Sequence, residues 1–112
     1  MDPLHKKQLY EFYRKALLED CIPFWLKNSL DREYGGYLTC LERNGKVYST
    51  DKSVWFQGRG LWIYSKLCNA LDKKDEWLEA AHLGYKFIME HCFDTDGRMF
   101  FQVTRDGRPL RK

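Results

Sequence analysis

The run Lys52-Ser53-Val54-Trp55-Phe56-Gln57-Gly58-Arg59 puts an indole, an amide and a guanidinium within two turns of one predicted helix. Trp55, Gly58, Arg59 and Trp62 fall at i, i+3, i+4 and i+7, so they share a helix face. Arginine stays charged at physiological pH and offers five donors in a fixed fork. Such a group can hold a sugar oxygen and stabilise a developing oxyanion without transferring a proton. An aromatic face beside a bidentate donor suits a sugar better than a metal or a phosphate. Gly58 and Gly60 each cost about 1 kcal/mol relative to alanine inside a helix, so a close approach is expected there. A helix-packing glycine pair beside an ion-paired arginine explains the same residues, and spacing alone leaves both readings open.

Other constellations carry less. Asp31 and Glu33 lie two apart in a glycine-rich turn, which suits turn-forming surface groups better than a glycosidase carboxylate pair. Asp94-x-Asp96-Gly97 begins like a calcium loop, but Met99 stands where glycine is required and Arg105 where glutamate is required. His82 and His91 are nine apart on one helix and so point to opposite faces. Neither they nor His5 has the spacing of a metal site. No P-loop, dinucleotide fingerprint or nucleophile elbow occurs. These residues supply a substrate clamp without a general base.

Positioning this clamp requires a helical frame. Asp2-Pro3 is a capped helix start, followed by a stripe of Leu9, Tyr13, Ala16, Leu17 and Phe24, with a kink or break expected at Pro23. Residues 31 to 36 form a turn in which the paired glycines Gly35 and Gly36 permit positive φ. Alternation from Tyr37 to Leu41 predicts a strand, and Arg43-Asn44-Gly45-Lys46 a hairpin returning through Val47-Tyr48. A second helix is predicted over 52–71 and a third over 75–92, the latter burying Trp77, Ala81, Gly84, Tyr85, Ile88 and Cys92. Met99 to Val103 reads as a strand, with a further hairpin at Arg105-Asp106-Gly107-Arg108. Helix, hairpin, helix, helix, hairpin is one and a half units of a repeat. Stacked repeats need about three units to cover their core, so the sequence reads as incomplete relative to its functional fold.

Composition narrows the partners. A net charge of +3, with 19 basic and 16 acidic residues spread along the chain, provides no basic stripe for nucleic acid. No apolar run is long enough to span a membrane, and Met1 to Phe12 lack a signal-peptide core. Four Trp, seven Tyr and seven Phe fit either a ring-lined carbohydrate cleft or a large aromatic core. Cysteines 21, 40, 68 and 92 contain no Cys-x-x-Cys pair and read as buried reduced thiols of a cytoplasmic protein.

Three segments together resemble the N-acylglucosamine 2-epimerase family. They are Asp31-x-Glu33-x-Gly35-Gly36-Tyr37, Asp51-Lys52-x-x-Trp55-x-Gln57-Gly58-Arg59-x-x-Trp62, and the tail Asp96 to Leu110. The resemblance covers essentially the whole chain. It implies a mainly α fold, the amino-terminal portion of an (α/α)6 barrel with short β-hairpins between helices, residues 1–112 being part of that single domain. It also implies a sugar 2-epimerase interconverting N-acetylglucosamine and N-acetylmannosamine, with both catalytic histidines outside this chain. Arg59 is then the active-site arginine and Trp55 the ring against the sugar, with Gln57 of the same motif and Phe100 of the tail also expected to bind substrate. The tail hairpin often places a tyrosine near the substrate; here the position is Phe100, which has no hydroxyl to donate. The expected partner is a small sugar, without cofactor, metal, nucleic acid or membrane, and the assembly a possible homodimer. The alternatives are an epimerase or isomerase of cellobiose or mannose, or a non-catalytic module that binds sugar or protein.

Overall fold

The computed structural model describes residues 2–111, with the side chain of Arg111 excepted. Helix α1 (Pro3–Lys15) starts as its sequence requires, Asp2 Oδ1 accepting the His5 backbone N–H at 2.9 Å and proline following the cap. The chain does not break at Pro23. It passes through a π-helical turn, Ala16–Cys21, into α2 (Ile22–Asn28), with Pro23 in the first turn. The π-helical turn shifts the bonding by one residue, Ile22 N–H reaching Leu17 O, so the helix passes Pro23 through this irregularity where a kink or break was expected.

The predicted strand 37–41 shrinks to β1 (Cys40–Leu41), paired antiparallel with β2 (Val47–Ser49). The reason lies in where its backbone bonds go. Tyr37 N–H and C=O are taken by the Gln57 side chain at 2.8 and 2.9 Å. Leu38 N–H donates to Ser29 O at 2.6 Å, and Leu38 O accepts from Ser29 Oγ at 2.6 Å. What remains is an isolated antiparallel bridge of Tyr37 with Leu30 in place of a longer strand. The Asn-Gly turn forms as predicted, Gly45 at φ 94° and Glu42 N–H bonded to Lys46 O at 2.7 Å.

The second predicted helix loses its first two residues to β3 (Lys52–Ser53). That strand pairs with β4 (Gln102–Val103), which pairs with β5 (Pro109–Arg111). Helix α3 (Val54–Ala70) and helix α4 (Asp75–His91) follow and pack against each other across a short link.

Two clusters make the core. Ile22, Tyr37, Tyr64, Leu67, Trp77, Ala80 and Ala81 form one; Val54, Phe87, Ile88, Cys92, Phe100 and Val103 form the other. Leu61 packs against both. Tyr37 is the pin of the first. Its ring lies so close to Gly60 on α3 that a β-carbon there would stand 2.6 Å from two ring carbons. A β-carbon at Gly84 on α4 would collide with the same ring and its hydroxyl. The hydroxyl donates to Ala80 O at 2.7 Å. Gly60 and Gly84 therefore let one buried tyrosine cross between two helices. Burial lifts the Tyr37 hydroxyl far above the ordinary tyrosine range and pushes Tyr64 up to about 12.

Three burial expectations need correction. Tyr85 is exposed, and Ala80 and Phe87 take places in the α4 stripe. Only Cys92 is a buried thiol; Cys21 is exposed and Cys40 and Cys68 are half-buried, all four unbridged. Helix α1 buries no residue at all, so Tyr13 of its predicted stripe faces solvent with Phe12 beside it. The radius of gyration, 16.1 Å, accordingly exceeds the ~13 Å of a compact chain this long.

Candidate functional site

The first turns of α3 and the residues leading into β4 face each other across an open cavity of about 520 Å³. Trp55, Gly58, Arg59 and Trp62 line one wall, as helical spacing requires, with Val54 at the base. Met99, Phe100 and Phe101 line the other. The walls meet where Val54 N–H donates to Phe101 O at 3.1 Å, continuing the β3–β4 pairing into the helix. A β-carbon at Gly58 would meet nothing within 4 Å, so the side of α3 at Gly58 is open space, not a helix contact. The two glycines thus divide their work: Gly60 admits Tyr37, and Gly58 widens the cavity.

Arg59 stands over the Trp55 ring, its guanidinium carbon 4.9 Å from the ring centroid. The separation is a cation–π contact, which aligns the guanidinium plane and leaves its N–H groups available. No carboxylate among the described residues pairs with Arg59. Arg59 also borders a second, mostly apolar cavity of about 340 Å³, between α3 and the π-helical turn and α2.

The remaining expectations fall out differently. Gln57 is fully buried and turned away from the cavity, both ends of its amide bonded to the Tyr37 backbone. It is a splint between turn and helix, since an amide is the one side chain able to replace both partners of a strand. Gly36 has φ 71°, and a β-carbon there would stand 2.6 Å from Gln57 Oε1, so this splint accounts for the glycine. Phe100 lines the cavity with 9% exposure and offers rings without a donor. Met99 and Phe101 were not foreseen. Strand alternation would have put them opposite Phe100, but 99–101 is not regular strand, and all three reach one space.

Asp31 is no surface group. It is 1% exposed and accepts N–H bonds from Glu33 and Tyr34 at 3.1 and 3.0 Å. Lys52 Nζ and Arg105 Nε bind its Oδ2 at 2.8 and 3.0 Å. Burial works to raise its pKa, yet the bonds from Arg105 and Lys52 outweigh that and hold it below the usual carboxylate value. Lys52 is itself fully buried, and desolvation lowers its pKa against the pull of Asp31. His82 is exposed, and His91 packs on Phe87 with ring centroids 5.0 Å apart. Among the described residues no group of three or more His, Cys, Asp or Glu could hold a metal ion, and no helix is long and apolar enough to cross a membrane.

An open cavity walled by aromatic side chains and one arginine is thus the candidate site of this helical frame. The family pattern of N-acylglucosamine 2-epimerase (GlcNAc 2-epimerase) matches residues 36–112. The mouse N-acylglucosamine 2-epimerase is 40% identical over 98 residues, 84% of this chain and 23% of that protein. The cellobiose 2-epimerase of Ruminococcus albus is 35% identical over 98 residues, 86% of this chain and 25% of that protein. The solved cellobiose 2-epimerase of Spirochaeta thermophila superposes with a TM-score of 0.87 at 26% identity, covering 97% of this chain and 27% of that one. This chain belongs to the N-acylglucosamine 2-epimerase family, a family of sugar isomerases, and has the fold of a portion of an (α/α)6 barrel. It spans about a quarter of the length of the curated relatives it matches.

Proposed function

We propose that this chain forms one wall of the active site of a sugar 2-epimerase, acting on N-acetylglucosamine and N-acetylmannosamine. The observation that carries the reading is the free guanidinium of Arg59 over the Trp55 ring, facing an aromatic cavity of sugar size. The choice of amino sugar over cellobiose is supported by the higher identity to the N-acylglucosamine relatives, 37–40% in mammals against 25–36% for the cellobiose enzymes.

In this reading the sugar ring opens and lies against Trp55 and Phe100. A histidine from outside this chain takes the proton on C2, and the electron pair left behind forms the C1–C2 double bond of an enolate as the C1 carbonyl π pair moves onto oxygen. Charge collects on the C1 oxygen, where Arg59 donates two N–H bonds. A second such histidine returns a proton to the opposite face of C2, which inverts the centre. Arg59 acts electrostatically, because a group charged in every state can stabilise the oxyanion but cannot shuttle protons. Trp55 has two roles: it stacks on the sugar and holds the guanidinium flat. Gln57 contributes by fixing the turn to the helix, not by touching sugar.

The four unbridged cysteines fit a cytoplasmic enzyme, and a homodimer belongs to the same reading, the exposed rings of α1 offering apolar surface to a second chain. The test is Arg59→Ala in the complete enzyme. Losing a preorganised donor to the developing oxyanion costs about 100-fold or more in kcat/KM, with the thermal unfolding midpoint unchanged. Arg59→Lys keeps charge without the fork and should recover only part of that loss. Wild-type turnover by Arg59→Ala would end the assignment.

A further inference from the structure

The Lys52 ammonium has three protons and three acceptors: Asp31 Oδ2 at 2.8 Å, Gly35 O at 2.7 Å and Arg105 O at 2.8 Å. It also lies 4.3 Å from the centroid of the Phe87 ring. Every donor is used and the side chain is fully buried, so this is a built junction, not a lysine resting on a surface. Its partners belong to the turn 31–36, to α4 and to the hairpin that runs from β4 to β5. Arg105 closes the circuit from the hairpin side, its guanidinium on Asp31 at 3.0 and 3.3 Å and on Glu33 at 3.4 Å.

What this junction holds together matters for the cavity. Lys52 opens β3, and α3 with Trp55 and Arg59 starts two residues later. Arg105 lies two residues past β4, whose approach carries Met99, Phe100 and Phe101. Between the two walls the strand pairing is short, Lys52 opposite Val103 and Ser53 opposite Gln102. A ladder of that length is marginal without other support. The polar circuit adds to the packing of Val54 with Phe100 and Val103 in supplying it.

We propose that Lys52 is a positioning residue for the sugar cavity, tying the hairpin wall that bears Phe100 to the helix wall that bears Trp55 and Arg59. The proposal rests on the reading of that cavity as a sugar site. Releasing the tie lets the hairpin wall swing out, so the sugar loses its contact with Phe100 in ground state and transition state alike. Uniform loss of that kind raises KM and leaves kcat nearly unchanged. A purely structural loss would instead reduce the fraction of folded enzyme, which lowers apparent kcat and leaves KM alone.

The experiment is steady-state kinetics of the complete enzyme with N-acetylmannosamine. Lys52→Met should raise KM about tenfold and change kcat by less than about threefold. Ser53 and Gln102 face each other as a pair without mutual ladder bonds, since the ladder bond runs from Val54 N–H to Phe101 O. Cysteines at those two positions are placed for a disulfide. In the Lys52→Met background the oxidised Ser53→Cys/Gln102→Cys protein should recover most of the lost affinity, and reduction should abolish the recovery; Lys52→Met alone should not respond to reductant. Arg105→Gln, at a side chain 36% exposed and so tolerant of exchange, should raise KM in the same direction by about threefold and covers the case in which Lys52→Met does not fold. An unchanged KM in the folded variants, or no recovery on oxidation, overturns the proposal. Failure of the sugar reading would show instead in the wild-type enzyme, as no turnover of either amino sugar.

Discussion

Gly58 and Gly60 sit two residues apart in one helix, and the structure predicts opposite outcomes for the same substitution. Gly58→Ala introduces a methyl group with nothing within 4 Å, so it collects the helix-propensity gain of about 1 kcal/mol without a steric cost. Gly60→Ala collects the same gain but places its β-carbon 2.6 Å from two carbons of the Tyr37 ring. That is about 1 Å inside an ordinary carbon contact of ~3.5–4.0 Å. The ring cannot retreat, because its hydroxyl is bonded to Ala80 O, its backbone is splinted by Gln57, and Gly84 flanks it on α4. Overpacking costs about 1–3 kcal/mol, and a pinned ring belongs at the upper end, leaving a net loss of about 2 kcal/mol. The two variants should then differ by about 3 kcal/mol. Urea unfolding followed by tryptophan fluorescence reads this directly, since at about 1–3 kcal/mol per molar the midpoints should separate by about 1 M or more. Midpoints that move together, or a Gly60→Ala protein as stable as wild type, would refute the division of labour between these glycines.

The Gly58→Ala methyl also stands in the cavity proposed to hold the sugar, so its gain in stability should come with a fall in kcat/KM, measured in the complete enzyme. Tyr37→Phe removes the donor to Ala80 O and should cost about 1 kcal/mol by the same urea assay. Asp31 has a folded-state pKa held below its model-peptide value of 3.8. Its contribution is therefore complete above pH ~4 and is lost as pH falls through the lower folded value. Urea midpoints taken between pH 6 and pH 3 should drop more steeply for wild type than for Asp31→Asn, and parallel slopes would contradict the ionised, buried carboxylate.

Much of the frame is legible in the sequence because it is local. Helical spacing places Trp55, Gly58, Arg59 and Trp62 on one face, and the structure puts all four on one wall. The Asn-Gly and Asp-Gly turns follow from positive φ at Gly45, Gly97 and Gly107. What escaped is long-range. Gln57 reads as a sugar ligand because it shares the motif with Arg59, yet its amide pairs with a backbone 20 residues away and faces the core. Asp31 reads as a turn-forming surface group, Lys52 as the start of a helix and Arg105 as part of a hairpin turn, since nothing in their own neighbourhoods marks their meeting. The usable signal is the glycine pair beside Asp31, where a turn this tight lets a lysine reach the Gly35 carbonyl. Helix α1 shows the reverse error. Its apolar stripe is plain in the sequence, but no residue of α1 is buried by the described residues.

The most direct test of the central claim is a crystal structure of the complete enzyme with N-acetylmannosamine bound. The account predicts the sugar against the Trp55 indole, with two Arg59 nitrogens within about 3 Å of sugar oxygens and the Phe100 ring closing the other side. A sugar bound elsewhere, with the Arg59 guanidinium still facing solvent, would contradict it.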